Sequence, residues 1–247
     1  MDIDSKVIKK NICFVLPTYN EEGNIENTIG QILIEEKKQN QYVFSVLVVD
    51  DNSTDQTQAI VKRIIDSKDN IHLLTGEKKG LGDAYKRGFL HAVDILKADV
   101  IFQMDSDGQH DVSLVPQFLK DIAVDKDVVI GSRFIKGGAT PDFSIFRLLI
   151  SRIGNLLVRY AGGVTAIKDC TSGYRAIKTS FLKDIDFTYL STRGYSFQSS
   201  LICDLAWRGA VISETPIVFS SRKAGDSKLS LRDQIEFLLN IPRLGFR

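Results

Sequence analysis

Three short polar clusters, each placed just after an apolar run of strand length, carry the side chains of this 247-residue chain best suited to chemistry. Residues 12–16 lead into Pro17-Thr18-Tyr19-Asn20-Glu21-Glu22 and residues 43–49 into Asp50-Asp51-Asn52-Ser53. Residues 100–104 lead into Asp105-Ser106-Asp107-Gly108-Gln109. Side chains two apart in an extended chain point to the same side. The carboxylates of Asp105 and Asp107, with Gln109 beyond them, are therefore expected to face one point. Hard oxygen ligands so arranged suit Mg2+ or Mn2+ shared with substrate phosphates. An Asp-x-Asp alone is common by chance, and any one cluster could be a helix N-cap with a satisfied carboxylate. Three clusters at successive strand ends imply a shared site, because open α/β sheets bind ligands beyond the carboxyl ends of their strands.

The elements that must position these clusters alternate. Helical apolar spacing (Ile25, Ile29, Ile32, Leu33) follows the first run, over residues 21–37. Ser53 with Gln56 has the spacing of a capping box for a helix through Ile64 and Ile65. Residues 71–74 read as a third strand, 84–96 as a helix, 100–104 as a fourth strand and 128–130 as a fifth. Strands apolar on both faces and separated by helices imply an α/β fold with a largely parallel central sheet flanked by helices. Later segments are less regular. Residues 145–160 read as a long helix bearing Arg147, Arg152 and Arg159, residues 197–207 as another, and residues 211–219 as a strand. Residues 231–239 form a short amphipathic helix. With no internal repeat or low-complexity linker, residues 1–230 form one catalytic domain, and residues 231–247 are an amphipathic C-terminal segment facing a membrane or a partner.

Composition excludes several classes. The chain is 43% hydrophobic and 26% charged, enough to bury a globular core. A formal charge of +1 is too small for a protein that grips nucleic acid backbone. Cys13, Cys170 and Cys203 have no paired spacing and read as reduced thiols. The first residues lack the apolar core of a signal peptide. No stretch reaches the roughly 20 apolar residues a bilayer crossing needs, so a peripheral protein is expected.

Taken together, Pro17-Thr18-Tyr19-Asn20-Glu21, Val48-Val49-Asp50-Asp51-Asn52-Ser53, Gly80-Leu81-Gly82 and Asp105-Ser106-Asp107 resemble family-2 glycosyltransferases, which have a nucleotide-sugar-binding glycosyltransferase A-type fold. Further segments are similar to the dolichol-phosphate mannose synthase branch: Gly131-Ser132-Arg133, Arg147-Leu148-Leu149-Ile150-Ser151-Arg152, Ser172-Gly173-Tyr174-Arg175, Gly194-Tyr195-Ser196-Phe197-Gln198 and Gly225-Asp226-Ser227-Lys228-Leu229. Residues 137–145 have no clear counterpart. The resemblance implies inverting, metal-dependent transfer of a hexose, mannose from GDP-mannose before glucose from UDP-glucose, to the phosphate of a polyprenyl or dolichyl phosphate. It implies that Pro17, Tyr19, Glu21, Val49 and Asp51 line the nucleotide pocket. Asp105, Asp107 and Gln109 would hold the Mg2+ or Mn2+ bridging the donor diphosphate, with Ser106 beside them. Arg133, Arg222 and Lys228 would neutralise donor phosphate charge, and Arg147 and Ser151 would receive the lipid phosphate. The implied place of work is the cytoplasmic face of a membrane, reached by surface docking or through a membrane-embedded partner.

Elementary chemistry agrees with these roles. A departing nucleoside diphosphate needs a metal and cations, and the planar fork of Arg suits phosphate oxygens. A sugar hydroxyl acceptor needs a general base, and only Asp169 and Asp204 offer one beyond the clusters. A phosphate monoester is already anionic at neutral pH and needs positioning instead. A hydroxyl-glycosylating enzyme and a nucleotide-binding regulator are the rivals; the set of metal and phosphate ligands counts against the second. Arg147 could be part of a solvated helix face, His110 a polar loop residue and Trp207 core. His72 and His91 read as structural, and Gly80-Leu81-Gly82 as a turn.

Overall fold

The computed structural model describes residues 9–190, 194–220, 237 and 239–245. Seven strands form one sheet: β1 (Lys10–Thr18), β2 (Tyr42–Asp50), β3 (Ile71–Thr75), β4 (Val100–Gln103), β5 (Val128–Ser132), β6 (Arg175–Lys178) and β7 (Ile212–Pro216). Their order is β3-β2-β1-β4-β6-β5-β7. All neighbouring strands run parallel except β6, which pairs antiparallel with both β4 and β5. The flanking helices are α1 (Ile25–Glu36), α2 (Thr57–Ile65), α3 (Leu81–Asp94), α4 (Val115–Ala123), α5 (Ile145–Ala161) and α6 (Gly194–Trp207).

Side chains alternate between the two faces of each strand, so β1 feeds two cores. Cys13 and Val15 join Leu47, Tyr85, Phe89, Phe197 and Leu201 on the face covered by α3 and α6. Ile12, Phe14 and Leu16 join Val46, Val48, Ile25, Ile29 and Phe118 on the face covered by α1 and α4. Helix α3 lies close on the sheet because Gly88 has no side chain: a Cβ there would stand 2.5 Å from Val15 Cγ1 and 2.9 Å from Val49 Cγ2. The three cysteines are buried.

Two elements lie outside the sequence expectations. Helix α4 buries Val115, Phe118, Leu119 and Ile122 and has Pro116 in its first turn. Strand β6 is only four residues long and begins with a fully buried Arg175, whose guanidinium donates to the carbonyls of Gln198 and Cys170 at 2.9 Å. Local details also differ. Ser53 caps no helix: α2 starts at Thr57 behind Gln56, which makes no side-chain cap bond, and Ser53 serves Asp50 and Asn20. Helix α3 starts at Leu81 with Gly80 as its N-cap, so Leu81 and Gly82 are helical and not a turn. Trp207 is 41% exposed instead of core, its indole N–H donating to the Gly162 carbonyl at 2.9 Å.

Only Phe237 and residues 239–245 of the C-terminal segment are described. Phe237, Ile241 and Leu244 are buried within the α3–α6 core, and Leu239 is exposed. The described part of this segment packs largely on the protein's own body. No helix among the described residues is long and apolar enough to cross a membrane.

Candidate active site

The carboxyl ends of β1, β2 and β4 are adjacent, and three interlocking loops leave from them. Asp50, at the end of β2, is fully buried. Its Oδ1 accepts from Ser53 N at 2.9 Å and Gln58 Nε2 at 2.6 Å, and its Oδ2 from Thr18 Oγ1 at 3.2 Å. Asn20 Oδ1 accepts from Thr54 N at 2.9 Å. Asn20 and Asn52, both with φ of 54°, take the left-handed turn that Asn tolerates best among non-glycine residues. These bonds tie the first two polar clusters together. The third is tied in by Ser106, whose Oγ donates to the Pro17 carbonyl at 2.9 Å while its own carbonyl accepts from Thr28 Oγ1 at 3.2 Å. The run that sequence places in extended chain is bent, since β4 ends at Gln103. Gly108, at φ +75°, closes the bend, and Gln109 N donates to Asp107 Oδ1 at 3.1 Å.

Asp105 is held from three sides. The Tyr85 hydroxyl donates to its Oδ1 at 2.8 Å, and Gly173 lies against its Oδ2, a Cβ there falling 3.5 Å away. His110 Nε2 is 3.5 Å from the same oxygen. Burial first, and then the Asp105 charge, push the Tyr85 phenol well above its ordinary range, so it remains a donor. His110 lies in the loop, as expected, but is buried between Tyr174 and Phe219, and neither ring nitrogen has a hydrogen-bond partner among the described residues. The Gln109 amide nitrogen donates to the Ser220 carbonyl at 2.6 Å. Asp105, Asp107 and Gln109 thus present carboxylate and amide oxygens, a hard donor set that fits Mg2+ or Mn2+ with phosphates and water completing the shell. Among the described residues no three Asp, Glu, His or Cys side chains form a metal cage by themselves.

The nucleotide-side residues divide. Tyr19 lies at the end of this cleft with Lys78 Nζ 3.3 Å from its ring centroid. Asp51 is ion-paired with Arg87, which also binds Asp83 at 3.0 Å. Burial pushes the Asp51 carboxyl up to about 6, against the opposing pull of Arg87. Pro17 contributes its carbonyl to Ser106. Glu21 is turned inward, its N–H donating to Thr57 Oγ1 at 2.8 Å and its Oε2 accepting from Asn24 at 2.9 Å. The Val49 side chain is fully buried under Gly88 on α3, which leaves its backbone as the part that can face a nucleotide.

Arg133, just past β5, is locked to Asp169. Its Nε and Nη2 donate to the two carboxylate oxygens at 2.7 Å each, its backbone N–H donates to Oδ2 at 3.0 Å, and Nη2 also reaches Thr171 Oγ1 at 2.8 Å. Asp169 is 0% exposed. Burial would raise its carboxyl, but the Arg133 charge and hydrogen bonds outweigh this and hold it below the usual range. Asp169 is therefore no candidate base. Asp204 on α6 pairs with Arg208, just past the helix, at 2.6 Å.

Arg147 and Ser151 stand one turn apart on α5. The Arg147 guanidinium is exposed and lies 3.9 Å over the Phe143 ring; Phe143 meets Phe219 edge-on at 6.1 Å, and Phe219 meets His110. A chain of aromatic rings thus joins Arg147 to the acidic cluster. Large apolar residues of the same helix face outward, Ile145 at 86% and Phe146 at 73% exposure. Arg222, Lys228 and the Gly225–229 motif lie outside the described residues, as do residues 231–236 and 238 of the C-terminal segment. Tyr85, Asp169 as a partner of Arg133, and Arg87 are site residues that motif spacing did not single out.

This geometry has relatives. Residues 13–186 match the model of glycosyl transferase family 2. The polyprenol monophosphomannose synthase of Mycolicibacterium smegmatis is 33% identical over 239 residues, covering 94% of this chain and 86% of its own. Glucosyl-3-phosphoglycerate synthase from Mycobacterium tuberculosis, solved with Mn2+ and uridine-diphosphate-glucose, has a TM-score of 0.66 at 20% identity, covering 95% of this chain and 79% of that one. A mannosyltransferase from Pyrobaculum calidifontis, solved with GDP-Man and Mn2+, has a TM-score of 0.57 at 17% identity, covering 96% and 72%. The seven-stranded sheet and its neighbours define a glycosyltransferase A-type fold, and with the family match over most of its length the chain belongs to glycosyl transferase family 2.

Proposed function

We propose that this protein transfers mannose from GDP-mannose, with inversion, to the phosphate of a polyprenyl or dolichyl phosphate, making a lipid-linked sugar donor for glycan assembly. The observation that carries this reading is the placement of Arg147: a cation at the start of an outward-facing apolar helix, joined through Phe143, Phe219 and His110 to Asp105. A lipid phosphate needs such a boundary between apolar surface and donor cluster. The mannose synthase relative supports the sugar and acceptor, and the GDP-Man-bound neighbour supports the nucleotide.

In this reading Tyr19 and Asp51 receive the nucleoside, and Asp105, Asp107 and Gln109 would hold Mg2+ or Mn2+. When bound, the cation supplies charge stabilisation for the leaving diphosphate. Tyr85 orients Asp105, as outer hydrogen bonds orient metal ligands elsewhere. Arg147 and Ser151 place the acceptor phosphate. One of its oxygens attacks the anomeric carbon as the bond from that carbon to the diphosphate oxygen breaks, and the nucleoside diphosphate leaves. The transition state resembles an oxocarbenium ion. No proton need be removed, because the acceptor is already anionic. That suits a site in which Asp169 and Asp204 are both engaged by arginines. Arg222 and Lys228 complete the phosphate cations, together with Arg133, whose Nε and Nη2 stay held by Asp169. The work is placed at the cytoplasmic face of a membrane, by surface docking or with a membrane-embedded partner.

Incubation with labelled GDP-mannose or UDP-glucose and a short polyprenyl phosphate, followed by identification of the lipid product, tests this. A mannosyl phospholipid is expected. Glucose transfer would replace the donor assignment, and transfer only to sugar hydroxyls would refute the acceptor.

A further inference from the structure

Beside the acceptor residues on α5 lies a depression that the reaction above does not use. Phe134, Ile153 and Leu156 give it apolar walls, Arg152, Arg159 and Lys168 line it with cations, and its volume is about 380 Å3. No carboxylate lines it. Arg159 is fixed in place, its Nε and Nη2 donating to the Thr165 carbonyl at 3.2 and 2.6 Å. A carbonyl orients a guanidinium without cancelling its charge. The Arg152 guanidinium lies 6.0 Å over the Phe134 ring. Glu214, the nearby acid, spends its oxygens on the backbone N–H groups of Lys168 and Asp169. None of the three cations is ion-paired with a described residue.

We infer that this depression is a second anion site, separate from Arg147 and Ser151, which takes the phosphodiester headgroup of an anionic membrane phospholipid. Charge decides the sign of the occupant. Its amphiphilic nature follows from the apolar walls, which share Ile153 and Leu156 with the exposed face of α5 formed by Ile145, Phe146, Leu149 and Ile150. A helix with that much outward apolar surface and cations at its edge lies in the plane of a lipid interface. A headgroup held at Arg152 and Lys168 would fix the rotation of α5 about its axis and set the height at which Arg147 meets an acceptor. The floor of the depression supports this. Asn155 donates to Thr171 Oγ1 at 3.0 Å and accepts from Cys170 N at 2.7 Å, anchoring α5 to the segment that holds Arg133.

The test uses phosphatidylcholine vesicles with and without a large admixture of phosphatidylglycerol, containing neither polyprenyl phosphate nor nucleotide sugar. Its outcome is therefore independent of the activity proposed above. The whole chain should prefer the anionic vesicles. One basic residue near an anionic surface is worth roughly fivefold in partition, so Arg152→Ala with Lys168→Ala should lower binding to them by about 25-fold. Binding to phosphatidylcholine alone should not change. Lys62→Ala with Lys68→Ala removes the same charge at and beyond α2, beside β3 at the far sheet edge, and should have little effect. Arg152→Lys with Lys168→Arg should keep most of the preference and guards against misfolding. Equal losses in the two alanine pairs would reduce the effect to a general field and overturn the site. So would the absence of any phosphatidylglycerol preference in the unaltered chain. Release from the vesicles by millimolar glycerol phosphate would assign the site to a soluble phosphate instead and overturn the lipid occupant.

Discussion

Removing the carboxylate of Asp169 should destabilise the protein more than most single changes can. The Arg133 guanidinium is 5% exposed and the Asp169 carboxylate fully buried. Asp169→Ala takes away two bonds of 2.7 Å and one of 3.0 Å, and with them the carboxylate that both Nε and Nη2 of the buried guanidinium reach. Breaking a buried pair from one side costs about 3–5 kcal/mol, because a charge is left without compensation. For a domain of this size about 1 kcal/mol moves Tm by roughly 2–4 °C, so a fall of about 6–20 °C is expected. Arg133→Met with Asp169→Ala removes both charges and should recover a large part of that loss without recovering activity. The pH dependence has a definite sign. The folded carboxyl lies below the ordinary value of about 4. The pair's contribution is therefore fully present above that pH and is lost as the pH falls through the folded value. Urea unfolding followed by circular dichroism measures both variants against the unaltered chain. A cost under about 1 kcal/mol for Asp169→Ala, or a double variant weaker than the single, would refute a strongly coupled buried pair.

The remaining predictions concern the reaction. Asp105→Ala or Asp107→Ala should abolish transfer with the fold intact, and chelation should do the same to the unaltered enzyme; full activity in either case overturns the metal assignment. Arg147→Ala should raise the apparent requirement for lipid phosphate about tenfold or more, since charge-assisted contacts contribute roughly 1.5–3 kcal/mol, and calorimetry should show GDP-mannose affinity unchanged. Asp51 accepts hydrogen bonds best when ionised, so GDP-mannose affinity should weaken as the pH drops below about 6; Asp51→Asn should flatten that profile, and a profile unchanged by the substitution counts against the role.

How far these features can be read from the sequence depends on whether a residue's partner is local. The four parallel strands β1, β2, β3 and β4 and the clusters that follow β1, β2 and β4 are legible, because an apolar run of strand length ending in polar turn residues marks its own position. Strand β6 is not: four residues beginning with Arg175 carry no strand pattern, and the strand exists because β4 and β5 leave a gap that its backbone fills. The same limit applies inside the site. Asp105 and Asp107 are found from their spacing, whereas Tyr85 and Asp169 act across 20 and 36 residues and leave no spacing to find. The direction of the Val49 side chain is hidden for a related reason. The residue sits one position from the polar cluster, but strand alternation sends its side chain to the α3 face, where Gly88 makes room for it.

Helix α5 is the case where two readings of a pattern compete. Its sequence, IFRLLISRIGNLLVRYA, is apolar around most of its circumference, so periodicity cannot say which side is inward. The packing decides it through the least hydrophobic stripe. Gly154, Asn155 and Val158 face the body. Gly154 lets Phe237 approach, a Cβ there falling 3.1 Å from its ring, and Asn155 bonds Cys170 and Thr171. An amide that satisfies a buried N–H and a buried hydroxyl is worth more facing inward than a leucine, which gains its transfer energy in any apolar surroundings. The leucines and isoleucines can therefore face outward without loss only if something apolar meets them there. Orientation by polar anchors, with apolar residues left outside, is the reverse of a water-facing surface helix. It is the arrangement that the proposed role of α5 requires, holding Arg147 at the edge of a lipid layer while staying fixed to the segment that carries Arg133.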